Sequence, residues 1–483
     1  MLHMVDSAAP PGGSAPGGPG RLRVIDVRRA VVVGWVIVTR VLRALAAEVV
    51  LYGWRHRLEV LRRPRRSGGA GVEDQVLWRQ LATAGSAGLV DGFVALGPTY
   101  VKLGQLMASA PGVFPAPLAT ACQRCLDAVP PFPGEQARRT VEEDLGRPAT
   151  ALFQSFDDEA LASASIAQVH ACVLVDGRSA VVKVQRPGIA RLMMSDLRIA
   201  AMLARMAEHV EAARRLNPTG MIDDLFEVTV AELDFVLEAR HQQAFRDNIG
   251  AFGDNEHVTA PEVYHDLCGP RVLCMERLFG VPVDEFDELR RRQVDGELLM
   301  RRGLKVGLEA VCVHGPFHAD THAGNIWVLD DGRTAFLDFG ITGLLPEPWR
   351  AMVRDLFRTF MIDDDWARVV RNYKRLGVLR DDIGSDEDVG KLLRAATEPV
   401  LDAQARSIDL AELFGTQLEL ARQMGVQAPR ELMLVAKQLF YFERYMKELA
   451  PGYALARDLY LVKNIWPAEA AARAAELGVT FPD

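Results

Sequence analysis

Residues 315–340 read Gly315-Pro-Phe-His-Ala-Asp320-Thr-His-Ala-Gly-Asn325-Ile-Trp-Val-Leu-Asp-Asp-Gly-Arg-Thr-Ala-Phe-Leu-Asp338-Phe-Gly340, and the rest of the chain is organised around them. Ile326 to Leu329 and Thr334 to Leu337 are apolar runs of strand length, and Asp330-Asp331-Gly332 between them is hairpin-turn chemistry. The predicted hairpin returns Asp338 to the side of Asn325. An Asp followed at the fifth position by an Asn, and then by a hairpin ending in Asp, is the layout that phosphoryl transfer requires. In that layout Asp320 orients or deprotonates an acceptor hydroxyl. Asn325 and Asp338 offer hard oxygen ligands to Mg²⁺, which bridges and neutralises nucleotide phosphates. An isolated HxDxxxxN is equally well a turn-capping Asp; the added hairpin and Asp-Phe-Gly favour the site.

At 483 residues and 49% hydrophobic content, the chain can bury one large two-lobed core or two modest domains. Six scattered cysteines give no disulfide framework, and no cleavable signal peptide is visible, so a reducing, cytoplasmic setting is expected. Cys122 and Cys125 have metal-like spacing, but no second pair completes four ligands, and helix positions are expected for them. The net charge of −8 conceals an asymmetry. Residues 21–66 hold twelve Arg against Asp26, Glu48 and Glu59, so a basic arm precedes an acidic body. Such an arm points to an anionic partner surface. Aromatic interleaving is thin, so lipid is favoured and no nucleic acid is expected.

Residues 1–20 are rich in Pro, Gly, Ser and Ala and are expected to be a disordered tail. Residues 21–66 read as a basic amphipathic helix. Its apolar run from Ala30 to Val38 is cut by Arg40 and Arg43, short of the ~20 residues that span a bilayer, so it is expected not to cross one. Arg29, Arg40 and Arg43 fall within about 60° of one another on a helix, which predicts a basic stripe on an interfacial helix. The competing reading is a helix packed on the body with its Arg stems snorkelling. Residues 67–72 read as a linker, and 73–150 as a helical extension containing Lys102-Leu-Gly-Gln105. Lys102 and Gln105 share a face there, with Gly104 allowing another backbone to approach.

Ile166 to Val175 and Ala180 to Val184 read as strands joined by Asp176-Gly177. Ahead of them, Leu161-Ala-Ser-Ala-Ser165 supplies the small residues of a phosphate-covering loop. Lys183, set among Val181, Val182 and Val184, needs an anionic partner. A long helical pattern from Met221 to Asn248 offers Glu238, on the face of Asp234, while Glu232 points away if that helix is regular. His257 to Tyr264 and Arg271 to Glu276 read as further strands. They lead to a hinge at Leu278-Phe-Gly280, where backbone groups near Glu276 would bond an adenine edge. Glu297 to Val313 predicts a helix entering the catalytic loop, and the chain beyond Pro346 is nearly all helical.

Taken in order, Lys102-Leu-Gly-Gln105, Leu161-Ala-Ser-Ala-Ser-Ile-Ala-Gln-Val-His170, the Lys183 strand, Glu232-Leu-Asp234, HADTHAGN and Asp338-Phe-Gly340 make the sequence resemble the UbiB/AarF/ADCK family of atypical kinases. The resemblance covers residues 90–345 directly. It implies an α+β, protein-kinase-like two-lobed fold with a helical N-terminal KxGQ extension, an N-lobe over 151–276 and a mostly helical C-lobe over 277–483. It implies ATP and Mg²⁺ as cofactors, with Asp320 as catalytic acid/base and Asn325 and Asp338 as metal ligands. Lys183 paired with Glu238 would hold the phosphates, Glu276 would mark the adenine edge, and an alanine-rich loop of Leu161, Ala162, Ser163, Ala164, Ser165, Ile166, Ala167, Gln168 and Val169 would cover the nucleotide. Lys102, Gln105, Glu232 and Asp234 would form a regulatory contact over the acceptor site. Members support isoprenoid quinone biosynthesis or lipid homeostasis and act more as ATPases than as protein kinases. The implied partners are ATP and an anionic lipid or quinone precursor, at the cytoplasmic face of the membrane. Thr321 and Ala323 stand where the family commonly has Pro. Two other readings use the same loop: a small-molecule phosphotransferase of the aminoglycoside or choline kinase type, and a non-catalytic, nucleotide-gated lipid-binding module.

Overall fold

The computed structural model describes residues 18–20, 22–62, 70–108, 114–126, 131–214, 217–401, 429–453 and 458–482. Most of the expected tail, and residues 67–69 of the expected linker, lie outside them; Ala70 already opens a helix. The chain forms two compact units, Met1–Arg178 with Val182–Asp234 and Pro270–Val272, and Ser179–Val181 with Phe235–Gly269 and Leu273–Asp483.

In the first unit the helices Val24–Arg62 and Ala70–Leu96 pack together, and Gly97 at φ +104° turns the chain into the helix Pro98–Ala108. Val33, Val90, Phe93, Tyr100, Val101, Cys122 and Cys125 share one apolar core, so the two cysteines are core residues. The basic stripe expected on the first helix is not intact. Arg29 donates Nε and Nη2 to the two carboxylate oxygens of Asp196, at 2.7 and 2.9 Å, and Nη2 also reaches the Leu96 carbonyl at 2.7 Å. Arg198 grips Asp26 in the same bidentate way, at 2.7 Å for both bonds. Two reciprocal pairs therefore join the first helix to the helix Ile189–Ala207. The sequence left Arg29 open between a lipid surface and the protein body, because Asp196 is 167 residues away and invisible to helical periodicity.

The opposite side of that helix is apolar. Val24, Val27, Val31, Trp35, Val38, Leu42 and Val49 are exposed, Trp35 at 71%, and their spacing puts them on one arc of about 80° facing away from Arg29. By length and composition alone, Asp26–Leu51 is able to cross a membrane. The contrary expectation measured only the uninterrupted run to Val38, whereas Val, Leu and Ala resume on either side of Arg40 and Arg43.

A four-stranded sheet has the order β1-β2-β3-β5, from β1 (Phe153–Ser163), β2 (Ala167–Leu174), β3 (Ser179–Gln185) and β5 (Val272–Glu276). The second unit builds another, ordered β4-β9-β8-β6, from β4 (Val258–Thr259), β9 (Thr334–Phe336), β8 (Ile326–Leu329) and β6 (Gly280–Pro282). The strand expected from His257 to Tyr264 shrinks to β4 because Pro261 lacks the N–H that a ladder needs; Val263 makes only an isolated bridge to Met275. The β2–β3 and β8–β9 hairpins close on the same tripeptide, Asp-Gly-Arg. In each, Gly sits at φ +87° or +86°, and the Asp carboxylate accepts the Arg backbone N–H at 3.1 or 3.0 Å. A left-handed Gly after a turn residue is the three-residue hairpin solution.

The helix expected to run from Met221 to Asn248 is two helices, Pro218–Glu232 and Phe235–Gly250. Leu233 and Asp234 break it, with Asp234 immediately ahead of the second helix, where Asp is favoured as a cap. Within the second unit, Phe245, Leu304, Phe317, Phe336, Phe339, Val353 and Phe442 belong to one core fed by the helices Gly296–Glu309, Glu347–Arg358 and Arg430–Leu449.

Candidate active site

The β8–β9 hairpin does what the spacing predicted. The Leu337 N–H donates to the Asn325 carbonyl at 2.8 Å, so the residues on either side of the hairpin meet at its open end. Asp338 follows at φ +58°, a left-handed conformation that non-glycine residues adopt rarely and Asn or Asp most readily. Its Oδ1 accepts the Gly340 N–H at 3.2 Å.

His318, in β7 (Phe317–His318), which pairs with β10 (Thr342–Gly343), ties the two sides of the site together. Its Nε2 faces the Leu337 carbonyl at 2.8 Å and its Nδ1 accepts the Asp320 N–H at 3.2 Å. One nitrogen must donate and the other accept, which only the neutral imidazole can do. Burial holds this imidazole below its ordinary range, against the Leu337 carbonyl and the charges of Asp320 and Asp338. His170 and His314 are lowered by burial as well. Below about pH 6.5 the unfolded chain then binds protons that the folded one refuses. Their contribution is complete above that pH and declines as pH falls towards the folded-state values. Unfolding free energies from urea titrations should fall between pH 7.5 and 5.5, by up to ~1.4 kcal/mol per pH unit for each such histidine; equal free energies would contradict this arrangement.

Asn325 donates Nδ2 to the Asp320 carbonyl at 3.0 Å, so its Oδ1 is the atom that could serve as a ligand. Asp320 itself is met by a residue the sequence reading missed. Lys437 Nζ, from the helix Arg430–Leu449, lies 2.7 Å from Asp320 Oδ1. His322 Nε2 stands 3.7 Å from Oδ2, while its Nδ1 accepts the Gly324 N–H at 3.1 Å. Two turns along from Lys437, the buried Tyr445 donates its hydroxyl to the Thr321 carbonyl at 3.0 Å. Thr321, where a Pro would stiffen the loop, is thus braced from outside it.

Among the described residues no group of three or more His, Cys, Asp or Glu could hold a metal by itself. The pair of Asn325 and Asp338 is nevertheless the donor chemistry Mg²⁺ takes, since that ion fills most of its shell from phosphates and water.

In the first unit, Leu161, Ala162 and Ser163 continue β1, with Ala162 opposite Val169 and Ser163 opposite Gln168, so the loop proper is shorter than expected. It closes through the Ala164 N–H to the Ala167 carbonyl at 2.8 Å. Arg186, also missed, clamps it: Nη2 donates to Ser163 Oγ at 2.7 Å and Nε to the Ala164 carbonyl at 3.0 Å. Ser165 lies in this turn, and Ile166 is buried beneath it. Gln168 is not turned to a ligand. Its amide exchanges two bonds with the Phe132 backbone, at 2.9 and 3.0 Å, and faces His170 at 2.7 Å. A buried amide with both ends engaged is a clasp between segments.

Lys183 is buried in β3 between the inaccessible Val182 and Val184, and Glu238 is buried on the helix Phe235–Gly250 of the second unit. Glu276 uses its N–H on the Glu262 carbonyl at 2.8 Å, and Arg277 uses its own on Ser179 at 3.3 Å, so these backbone donors are already engaged.

Lys102 and Glu232 form a close ion pair, and Gln105 donates Nε2 to the Cys125 carbonyl at 2.9 Å. Glu232 reaches Lys102 from the end of its helix, and Asp234 lies past the break that the regular-helix assumption did not include. At Gly104 the close neighbour is a side chain rather than a backbone: a Cβ there would stand 2.4 Å from Cys125 Sγ. Gly104→Ala should therefore cost about 1–3 kcal/mol by overpacking, read as a lowered thermal midpoint; an unchanged midpoint would show that Cys125 moves aside freely.

Comparison with known proteins bears on the whole chain. The ABC1 atypical kinase-like domain matches residues 124–373, and the UbiB helical domain matches 393–454. A Mycobacterium tuberculosis protein described as uncharacterized is 36% identical over 417 residues, covering 86% of this chain and 83% of its own. A Pseudomonas aeruginosa protein named "Probable protein kinase UbiB" is 31% identical over 460 residues, covering 92% and 80%. An Arabidopsis thaliana chloroplastic protein, described as an uncharacterized aarF domain-containing protein kinase, is 33% identical over 391 residues, covering 76% and 72%. The kinase-like match contains Asp320, Asn325 and Asp338, and the helical-domain match contains Lys437. The chain belongs to the ABC1/UbiB family of atypical kinases and has its α+β, kinase-like fold.

Proposed function

We propose that the chain is a Mg²⁺-dependent, ATP-binding atypical kinase or ATPase serving isoprenoid quinone or lipid metabolism at the cytoplasmic face of a membrane. The observation that carries this reading is the closed hairpin, which holds Asn325 and Asp338 at one end, with His318 tying Asp320 to the same strand end. Mg²⁺, when bound, would neutralise phosphate charge, with Asn325 and Asp338 as its protein ligands. Lys183, oriented by Glu238, would take the α and β phosphates, and the Arg186-clamped turn between β1 and β2, around Ala164 to Ile166, would lie over them. Backbone groups near Glu276 other than its own N–H and that of Arg277 would meet the adenine. Asp320 would orient the acceptor hydroxyl, while Lys102, Gln105, Glu232 and Asp234 would act together as a regulatory contact. Membrane association is supported by the exposed apolar arc of the first helix, an area of the kind that marks an interaction surface.

The test is ATP hydrolysis by the full chain with Mg²⁺, with and without anionic liposomes carrying a quinone precursor. Turnover that rises with the liposomes is the expected result. A chain that neither binds nor hydrolyses ATP under either condition would sink the proposal; one that binds it without turnover would be a nucleotide-gated module.

A further inference from the structure

Lys437 lies 117 residues from Asp320 in sequence and outside the kinase-like match, yet it reaches that carboxylate directly. It opens an i, i+4, i+8 ladder on the helix Arg430–Leu449. Its ammonium stands 5.8 Å from the Tyr441 ring centre, Tyr441 stacks on Tyr445 at 6.4 Å, and Tyr445 holds the Thr321 carbonyl. One helical face thus grips two successive residues of the loop, Asp320 by its side chain and Thr321 by its backbone. Successive turns of one helix are rigidly spaced, so the two grips fix the rotation of the Asp320 carboxylate relative to its own backbone.

We propose that Lys437 is a positioning residue for phosphoryl transfer, supplied to the active site by the helical domain; this rests on the function proposed above. By holding Oδ1 it leaves Oδ2 as the oxygen presented to the acceptor. In the transfer the acceptor oxygen bonds to the γ-phosphorus, the bond from that phosphorus to the β,γ-bridging oxygen breaks, ADP leaves with the electron pair, and the acceptor proton passes to Oδ2. Lys437 donates to Oδ1 throughout. Nothing in this role touches the nucleotide-binding side chains, so it affects turnover and not affinity. At 42% exposure the lysine side chain adds little to folding.

The test compares wild type, Lys437→Met, Lys437→Arg, Asp320→Asn and the double variant Lys437→Met/Asp320→Asn, in the full chain with MgATP and water as acceptor. Lys437→Met should lower kcat about 10–100-fold with the ATP Kd within about 2-fold of wild type. Lys437→Arg should recover part of kcat, because a guanidinium can donate to the same oxygen. The double variant should be no slower than Asp320→Asn alone, since both changes act through one carboxylate. If Asp320→Asn abolishes turnover while Lys437→Met matches or exceeds wild type, the positioning role is overturned and the proposed function survives. Higher turnover would make Lys437 a latch on Asp320. A wild type without ATP turnover overturns both.

Discussion

Asp320→Asn is expected to lower ATP turnover by about 10²–10⁴-fold while leaving nucleotide affinity nearly unchanged. The change is isosteric, and the supports of the loop do not depend on the carboxylate being ionised. The Asp320 N–H still reaches His318 Nδ1, the Asp320 carbonyl still accepts Asn325 Nδ2, and Tyr445 still holds Thr321. An amide oxygen facing Lys437 preserves that bond too. What disappears is an acceptor at Oδ2, because an NH₂ there can take neither a proton nor a hydrogen bond from an attacking hydroxyl. Single-turnover hydrolysis together with ATP titration separates the two effects. A variant as fast as wild type would remove Asp320 from the chemistry, and one that lost affinity in proportion to rate would mean that the loop had moved.

Asp338→Asn is expected to weaken MgATP binding about 10–100-fold, or roughly 1.4–2.7 kcal/mol, with ATP binding in EDTA little affected. In the proposed function Asp338 is an ionised ligand, and replacing it with an amide would remove a full charge facing the cation. The backbone should not object. Asn tolerates the φ of +58° as well as Asp does, and its oxygen can accept the Gly340 N–H. Asp338→Ala is the informative contrast. It removes the ligand and also places a residue poorly suited to left-handed φ, so its thermal midpoint should fall where that of Asp338→Asn does not. Titrating both variants with ATP, with and without Mg²⁺, checks the expectation. A wild-type affinity indifferent to Mg²⁺ would remove Asp338 from the metal site.

The parts of this site that were legible in the sequence are local. Asn325, the apolar runs, Asp-Gly-Arg and Asp338 lie within one hairpin, whose register is fixed by a turn and a period of two. Lys183 could be singled out because a charge in a valine-rich strand needs an explanation that neighbouring residues do not provide. Long-range partners carried no such signal. Lys437 sits on a helix whose pattern suits a surface, and only tertiary packing brings it to Asp320. Arg186 had a hint, an Arg immediately after the Lys183 strand and before Pro187-Gly188, but nothing in the spacing ties it to Ser163. The Met221 to Asn248 pattern failed for a different reason: apolar periodicity persists across Leu233-Asp234 because each of the two helices buries a face of its own.

The ion pairs that fasten the first helix to the helix Ile189–Ala207 have a consequence for handling the protein. Arg29 and Asp26 point opposite to the Val24-to-Val49 arc, so the helix cannot roll that arc out of water without breaking four charge-assisted bonds. Colloidal behaviour is therefore set by whatever covers the arc. Uncovered, it drives self-association that detergent reverses and that salt, which strengthens apolar contact, does not. Cutting the helix away to gain solubility exposes a second weakness, because Asp196 and Arg198 then lose the partners that neutralise them. A truncated chain is in consequence a less aggregating but conformationally weaker protein, and differences between it and the full chain report on both.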